Sequence, residues 1–315
     1  MTREELQQKL QFIQDEQITN SLSVFVTTRT TGLQLFNIKE DDIDDLLEMF
    51  VGSIKQKLID DDQFSIVDYS TTILRDNVIY RYDLPVNRTI EMDRMREVLD
   101  IQVPEDFNAD ETPIERITGI YVVIRGEMNQ NVVLYKYITA VDKTYAKSSF
   151  LFFKSNDMFE RQQENLLKIS PAIHMIMVDN EILLLDIKRL ESALQLRDIL
   201  VREADRDIQS IVTKRLVTND LYLKKACAKT SMCKKLRHAL TQSKVILNQI
   251  DNETIIHFAE SKHEKLKFHF NAAKDAFDIR SKAEAERLIK LLDDDFLRSD
   301  LTQEDYDSYD KESLV

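Results

Sequence analysis

The central part of the sequence, residues 117–138, reads ITGIYVVIRGEMNQNVVLYKYI. Two runs rich in β-branched and aromatic residues, 117–124 and 132–138, enclose a polar segment, 125–131, that has the chemistry of a loop. This pattern predicts two strands joined as a hairpin.

Similar strand patterns lie on both sides of this hairpin. Residues 24–28 and 33–38 flank Thr31-Gly32, where glycine tolerates a tight turn, and residues 173–178 and 182–187 flank Asp179-Asn180. Further strands are predicted at 78–84 and 150–153. Apolar residues at helical spacing from Ile43 to Leu58 predict a helix with an acidic first turn. The first two thirds of the chain are therefore predicted to form a mixed, mainly antiparallel sheet.

The pattern changes at about residue 188. Apolar residues from Leu190 to Ile211 recur at helical spacing, and the capping box that begins at Ser281 predicts a C-terminal helix. Alternation over residues 265–270 predicts one late strand before that helix. The fold class is therefore α+β, with a sheet-rich region 1–187 and a helix-rich region 188–315. Residues 100–113 are the best soft boundary, and the sequence does not require separate domains.

Composition restricts the function classes. The chain has 315 residues, 43% of them hydrophobic, with only 4 Gly and 4 Pro, which favours a compact core over disorder or repeats. Its net charge of −13 repels nucleic acid and anionic membranes on average, so any polyanion site must be a local basic patch. Two cysteines without a signal peptide or a long apolar run indicate a cytoplasmic protein.

One segment, residues 211–250, reverses the overall charge. It contains nine Lys and Arg residues and one anion, Asp220, which gives a local charge of +8. Leu236, Ala239 and Leu240 predict a buried helix seam that turns the neighbouring cations outward, where they would bind phosphates through counterion release. The alternative is that the cations pair with surplus carboxylates of neighbouring elements. The predicted DNA-binding residues are Lys214, Arg215, Lys224, Lys225, Lys229, Lys234, Lys235 and Arg237, and a weaker group is Lys136, Lys143 and Lys147.

Motifs for catalysis or metal binding are weak. There is no Gly-rich phosphate loop, no Gly-x-Ser-x-Gly and no His-Glu-x-x-His. Asp186-Ile187-Lys188 imitates the end of a metal-dependent nuclease core, but a hairpin would separate Asp186 from Asp179 by roughly 23 Å. Cys227, Cys233 and His238 lack an evident fourth zinc ligand. We therefore predict no enzyme, no metal and no cofactor, with a metal-dependent nuclease as one alternative.

Three consecutive acids, Asp293 to Asp295, stand at the predicted end of the last helix. They face the negative pole of the helix dipole and repel one another. A metal, a basic surface on another chain, or an end of the helix at Leu292 would relieve them. The end of the helix is the favoured explanation.

The order of elements resembles the KwaB family of the Kiwa anti-phage system. The resemblance rests on the first hairpin at Ser23-Val24-Phe25-Val26, the central strand pair, and the run Met177 to Asp186 followed by a helix. The most specific match is Leu291 to Thr302 with Tyr306, which is similar to the leucine, acid, aromatic, Ser-x-Leu-Thr and tyrosine ending of the family. The family's usual glycine after Leu-Thr is replaced here by Gln303 and Glu304.

The resemblance implies a self-associating effector that binds DNA. It implies a homodimer that binds double-stranded DNA largely without sequence specificity and obstructs phage DNA replication or expression. It also implies a membrane partner, KwaA, that would recruit the chain to the inner membrane. The second alternative is an adaptor that does not bind DNA and docks to that partner through Asp41 to Asp45 or Asp293 to Asp295.

Overall fold

A computed structural model describes residues 1–14, 20–72, 75–127, 130–144, 152–155, 158–161, 164–262, 266–298 and 305–307. The chain separates into two compact units. The first comprises Met1–Val67 and Asp76–Leu194, and the second comprises Asp68–Arg75 and Gln195–Val315. The architecture is α+β, with a mainly antiparallel sheet in the N-terminal part and helices after residue 187, which confirms the predicted fold class.

Eight strands form the main sheet, in the order β2-β1-β5-β6-β11-β12-β4-β3. The strands are β1 (Ser21–Thr28), β2 (Gln34–Leu35), β3 (Ser65–Asp68), β4 (Val78–Arg81), β5 (Ile117–Arg125), β6 (Asn131–Tyr137), β7 (Lys143–Thr144), β8 (Phe152–Ser155), β9 (Met158–Arg161), β10 (Leu166–Leu167), β11 (Met175–Val178), β12 (Glu181–Leu184), β13 (Phe296–Arg298) and β14 (Asp305–Asp307). The pairs β7–β10, β8–β9 and β13–β14 form small antiparallel ladders outside this sheet.

Helices precede the sheet, connect its strands and make up most of the described second unit. They are α1 (Arg3–Leu10), α2 (Glu40–Ile54), α3 (Ile90–Asp100), α4 (Ile187–Ala193), α5 (Leu196–Thr213), α6 (Leu221–Ala226), α7 (Thr230–Thr241), α8 (Lys244–Leu247), α9 (Asn252–Ser261) and α10 (Lys282–Leu292). A π-helical turn, Lys55–Ile59, extends α2.

The stretch 117–138 forms the predicted hairpin at the centre of the sheet. The register of β5 and β6 runs from Gly119 opposite Tyr137 to Arg125 opposite Asn131. Side chains on both faces of β5 are buried, which explains why its sequence is continuously apolar instead of alternating. The hairpin of β11 and β12 is also confirmed, and it turns at Asp179 and Asn180, whose φ angles of 48° and 65° suit a type I′ turn.

The helical region begins close to the predicted position but is divided. The stripe predicted from Leu190 to Ile211 is split into α4 and α5, because Gln195 adopts a left-handed conformation with φ 53°. Ser281 caps α10 as predicted, its hydroxyl accepting the Glu284 amide at 3.2 Å. The predicted capping box is incomplete, because the Glu284 carboxylate accepts the amides of Arg280 and His269 instead of the Ser281 amide.

The late strand of residues 265–270 is reduced to a single antiparallel bridge between Phe270 and Phe277, and Lys265 lies outside the described residues. Lys267 interrupts the extended backbone with φ 49°. The late strands of the structure, β13 and β14, follow α10 instead. The strand predicted at 150–153 overlaps β8, although residues 150 and 151 are outside the described part of the chain.

Substitution of Gly119 tests how closely the central hairpin is packed. A Cβ atom at this position would lie 2.8 Å from Cε2 of Tyr135, a buried ring that packs against Tyr121 with centroids 4.9 Å apart. We expect Gly119→Ala to lower the free energy of unfolding by about 1–3 kcal/mol, since the ring has little room to move. Urea unfolding followed by circular dichroism measures this change. Gly52→Ala in α2 is the matched control, because a Cβ there meets nothing within 4 Å, and equal effects would contradict the packing.

Candidate nucleic-acid interface

The basic segment 211–250 forms the end of α5 and the short helices α6, α7 and α8. Lys214 is the C-cap of α5, and Arg215 follows it with φ 58°. Both cations stand where the helix dipole is negative, which favours positive charge. Lys224 and Lys225 lie in the last turn of α6, and Lys229 is the N-cap of α7.

Six cations of the segment are exposed, and we call them the outward set. Two of them form ion pairs, Lys224 with Asp220 at 2.8 Å and Lys229 with Glu286 at 3.1 Å. Both pairs are partly open to solvent, where an ion pair contributes little and a phosphate can compete. The Lys225 ammonium lies 4.8 Å from the centre of the Tyr222 ring. The outward set comprises Lys214, Arg215, Lys224, Lys225, Lys229 and Lys244.

The outward orientation predicted for the cations of α7 is wrong. Lys234 and Lys235 are buried, with 2% and 4% of their surface exposed, and Arg237 is only partly accessible. The buried face of α7 includes both lysines together with Cys233, Leu236 and Ala239. The apolar residues of α7 did not predict this face correctly, because the face also contains lysines. Contacts with other elements compensate their buried charges. We call Lys234, Lys235 and Arg237 the inward set.

Lys235 meets the acids that follow the last helix. Its ammonium lies 2.5 Å from Oδ2 of Asp295 and 3.7 Å from Oδ2 of Asp293. Nδ1 of His238 lies 2.5 Å from Oδ1 of Asp293. Helix α10 ends at Leu292, as predicted, and the chain then turns so that the buried Asp295 carboxylate reaches α7. The basic segment and the three acids therefore partly neutralise each other. In the sequence they are two separate features.

The other two inward cations have partners on the segment 68–75 and on α5. The Lys234 ammonium lies 4.2 Å from the centre of the buried Tyr69 ring, a cation–π contact that desolvation strengthens. Nη1 of Arg237 lies 3.2 Å from Oε2 of Glu203 and 3.4 Å from Oδ2 of Asp207, and its Nε donates to Ser70 at 2.9 Å. Burial raises the pKa of Asp207, and the Arg237 guanidinium opposes that rise. These contacts give the inward set a structural role.

Some of these partners carried a signal in the sequence. Glu203 and Asp207 are four residues apart and so lie on one face of α5, which indicates a possible pairing surface for a cation. Tyr69 and Ser70 lie in a short segment far from α7 in the chain, and no local pattern connects them with Lys234 or Arg237.

The two cysteines are buried free thiols. The Cys233 thiol donates to the carbonyl oxygen of Cys227 at 2.7 Å. Hydrogen bonding to Cys233 and burial raise the pKa of the Cys227 thiol, so this sulfur is a poor nucleophile and a poor metal ligand at neutral pH. Within the described ranges, no group of three His, Cys, Asp or Glu side chains is placed to hold a metal ion.

The residues of the nuclease alternative have other partners. Asp186 is the N-cap of α4, where its carboxylate accepts the Arg189 amide at 3.1 Å. Asp179 lies in the β11–β12 turn and forms an ion pair with Lys9 at 2.8 Å.

The three lysines of the weaker predicted group, Lys136, Lys143 and Lys147, have different environments. Lys136 is buried, lies 3.3 Å from Oδ1 of Asp142 and donates to Ser170 at 2.8 Å, so its side chain is not displayed. Lys143 is partly buried and donates to the Glu115 carbonyl oxygen at 2.7 Å. Lys147 lies outside the described residues.

Comparisons of the sequence with known proteins identify the family to which this α+β protein belongs. Residues 114–302 match the family model described as Kiwa protein KwaB-like, and the chain belongs to this family of Kiwa anti-phage defence components. It is 25% identical to a protein described as Kiwa protein KwaB from Escherichia coli O55:H7 (strain RM12579 / EPEC). That similarity extends over 321 residues and covers 100% of this chain and 99% of the relative. No solved structure matches.

In the described part of the chain, no helix is both long enough and apolar enough to cross a bilayer.

Proposed function

We propose that this Kiwa component binds double-stranded DNA, largely without sequence specificity, and thereby obstructs phage DNA replication or expression. The supporting observation is the exposure of the outward set, six cations in a segment that contains one anion, Asp220. Exposed Lys and Arg side chains are sufficient to bind a phosphate backbone, and the binding needs neither a cofactor nor a catalytic residue. The proposal therefore includes no catalytic step.

The net charge of −13 does not exclude such binding. At physiological ionic strength the Debye length is about 8 Å, so exposed carboxylates farther from the phosphates than this are largely screened. A duplex placed against the outward set would experience mainly the local charge. Binding should consequently be strongest at low salt and should not discriminate between sequences.

Salt dependence is the first test of this proposal. Each phosphate that is neutralised contributes about −0.9 to the slope of log affinity against log salt concentration, so four to six contacts from the outward set predict a slope between about −3.6 and −5.4. Fluorescence anisotropy with a short labelled duplex measures the slope, and a duplex of scrambled sequence is the control. Absence of binding at low salt would contradict the proposal, and a strong preference for one duplex would contradict its lack of sequence specificity.

The nuclease alternative is tested with the same protein and duplex. Long incubation with Mg²⁺ or Mn²⁺ should leave the DNA intact when it is analysed by electrophoresis. Cleavage that is lost on addition of a chelator would overturn the non-catalytic proposal.

The adaptor alternative is favoured by one observation in the first unit. The start of α2 presents five exposed acids, and no ion pair to them is found among the described residues. Asp293 and Asp295 are not available in the same way, because they pair with Lys235 and His238. The five acids are Glu40, Asp41, Asp42, Asp44 and Asp45.

Recruitment to the inner membrane through KwaA and assembly as a homodimer complete the proposal. Replacing the five α2 acids by their amides and measuring co-purification with KwaA tests the docking surface, and light scattering after size-exclusion chromatography tests the dimer. Loss of KwaA with retention of DNA binding would show that the two surfaces act separately. The adaptor alternative would be favoured if the amide variant no longer co-purified with KwaA and the parent protein did not bind DNA.

A further inference from the structure

A cationic cleft of about 370 Å³ lies in the first unit, where the end of β1 meets the start of β5. It contains three cations and one carboxylate, which gives a local charge of +2, and this volume is within the range of small-molecule sites. The predicted DNA-binding residues do not include its two arginines. The cleft is lined by Thr28, Arg29, Thr30, Glu115, Arg116, Thr118 and Lys143.

An irregularity in the sheet shapes this cleft. Thr27 pairs with Gly119 and Thr28 pairs with Ile117, so Thr118 is left between them as a bulge. Bulges bend a strand and redirect side chains, and they are common next to functional sites. The Thr118 hydroxyl donates to the Thr27 carbonyl oxygen at 3.2 Å, which holds the bulge in place.

The loop that carries Arg29 is fixed by the side chain of Thr28. The Thr28 hydroxyl oxygen accepts the amides of Thr30 and Thr31 at 3.2 Å and 3.0 Å, a local turn that positions the residues between β1 and β2. Arg29 and Arg116 are both exposed at the cleft. The site is therefore built on an ordered turn and a strand end.

The charges in the cleft are poorly compensated. Arg29 and Lys143 line the same cleft. Burial, and then the Arg29 guanidinium, lower the pKa of Lys143 further than Asp142 and Glu115 raise it. The Glu115 carboxylate accepts a hydrogen bond from Asn165, and Asp142 is engaged by Lys136 and Thr139. In the described parts of the chain, no carboxylate forms an ion pair with Arg29 or Arg116. A bound anion would relieve this repulsion.

We propose that this cleft binds a small phosphate monoester, with its phosphate held by Arg29, Arg116 and Lys143. Guanidinium groups match the oxygens of a phosphate in two parallel hydrogen bonds, and Lys143 and the Thr30 hydroxyl supply further donors. The cleft is larger than a phosphate group, so it has room for the organic part of the ligand. This inference is independent of DNA binding by the outward set, which belongs to the second unit.

Isothermal titration calorimetry with inorganic phosphate and adenosine 5′-monophosphate tests the site, and adenosine is the uncharged comparison. The parent protein should bind both phosphate probes with dissociation constants of roughly 1 mM or tighter, and it should not bind adenosine. The double variant Arg29→Gln, Arg116→Gln should lose about tenfold or more in affinity, which corresponds to one strong ionic contact. Lys55→Gln, Lys57→Gln removes two exposed cations of the same unit and should leave the affinity unchanged.

Two results would overturn the inference. One is a parent protein that fails to bind either phosphate probe, and the other is a cleft variant that binds them as well as the parent. Duplex DNA distinguishes the source of the phosphate, because the cleft variant should bind DNA as the parent does. If it loses DNA binding while the parent ignores the monophosphate, the cleft is a nucleic-acid contact and the proposed ligand is wrong. Equal thermal unfolding of the parent and both variants establishes that the proteins are folded.

Discussion

Replacing Lys235 by methionine is expected to destabilise the protein by about 3–5 kcal/mol, the cost of leaving buried carboxylates without their cation. The Lys235 ammonium lies 2.5 Å from Asp295 and 3.7 Å from Asp293, and all three side chains are largely shielded from water. Methionine retains the apolar stem of the side chain, so the loss is mainly electrostatic. Such a change is large compared with a typical stability of 5–15 kcal/mol.

Urea unfolding followed by circular dichroism measures this effect, since the chain has no tryptophan. Lys225→Met is the matched control, because Lys225 is exposed on α6 and its replacement should change stability by no more than about 0.5 kcal/mol. Adding Asp295→Leu to Lys235→Met should restore part of the loss, since it removes one of the uncompensated charges. Equal stability of the two single variants would show that Lys235 does not have the buried, paired role described here.

Reversing the charge of Lys214, Arg215 and Lys225 is expected to weaken DNA binding by about a hundredfold or more at low salt, because three attractive contacts become repulsive. These residues were chosen because they are exposed and form no ion pair with a carboxylate in the described part of the chain. Their replacement by glutamate breaks no such ion pair, but at Lys214 and Arg215 it places negative charge at the negative end of α5, at a cost of about 0.3–1 kcal/mol each. Fluorescence anisotropy with a labelled duplex gives the affinity, and circular dichroism checks the fold.

The control for net charge is a second triple variant, Lys39→Glu, Lys55→Glu and Lys57→Glu. These lysines are exposed in the first unit, and their reversal changes the net charge by the same amount. This control variant should retain most of the parental affinity for DNA. An equal loss in both variants would assign the effect to overall charge, and parental affinity in the outward variant would exclude the outward set as the DNA contact.

Local patterns in the sequence were sufficient for much of the sheet. The two runs of residues 117–138 and the Asp179-Asn180 turn specify hairpins because strand and turn preferences agree over a few neighbouring residues. The break between α4 and α5 was not predictable in this way. Gln195 adopts a left-handed conformation that its residue type does not indicate. In the sequence, only Arg197 interrupts the apolar stripe, and one charged residue does not predict the end of a helix.

The candidate site shows a different limit. The charge of segment 211–250 could be counted from the sequence, but the orientation of each cation depends on partners elsewhere in the chain. The three acids at 293–295 repel one another and so indicated a missing cation, and the segment that contains Lys235 had an excess of positive charge. Their pairing became visible only when α10 and α7 were placed together in the second unit. Family resemblance identified the defence system, whereas burial and charge pairing identified which cations remain available.

Chemical footprinting of individual lysines tests this division between an outward and an inward set. The protein is acetylated briefly, free and bound to duplex DNA, and the modification of each lysine is read by mass spectrometry. We expect Lys214, Lys224, Lys225 and Lys229 to react rapidly in the free protein and to be protected by DNA. Lys234 and Lys235 should react slowly in both states, because they are 2% and 4% exposed. Rapid modification of Lys234 and Lys235 that DNA suppresses, with no protection of the outward lysines, would contradict the division.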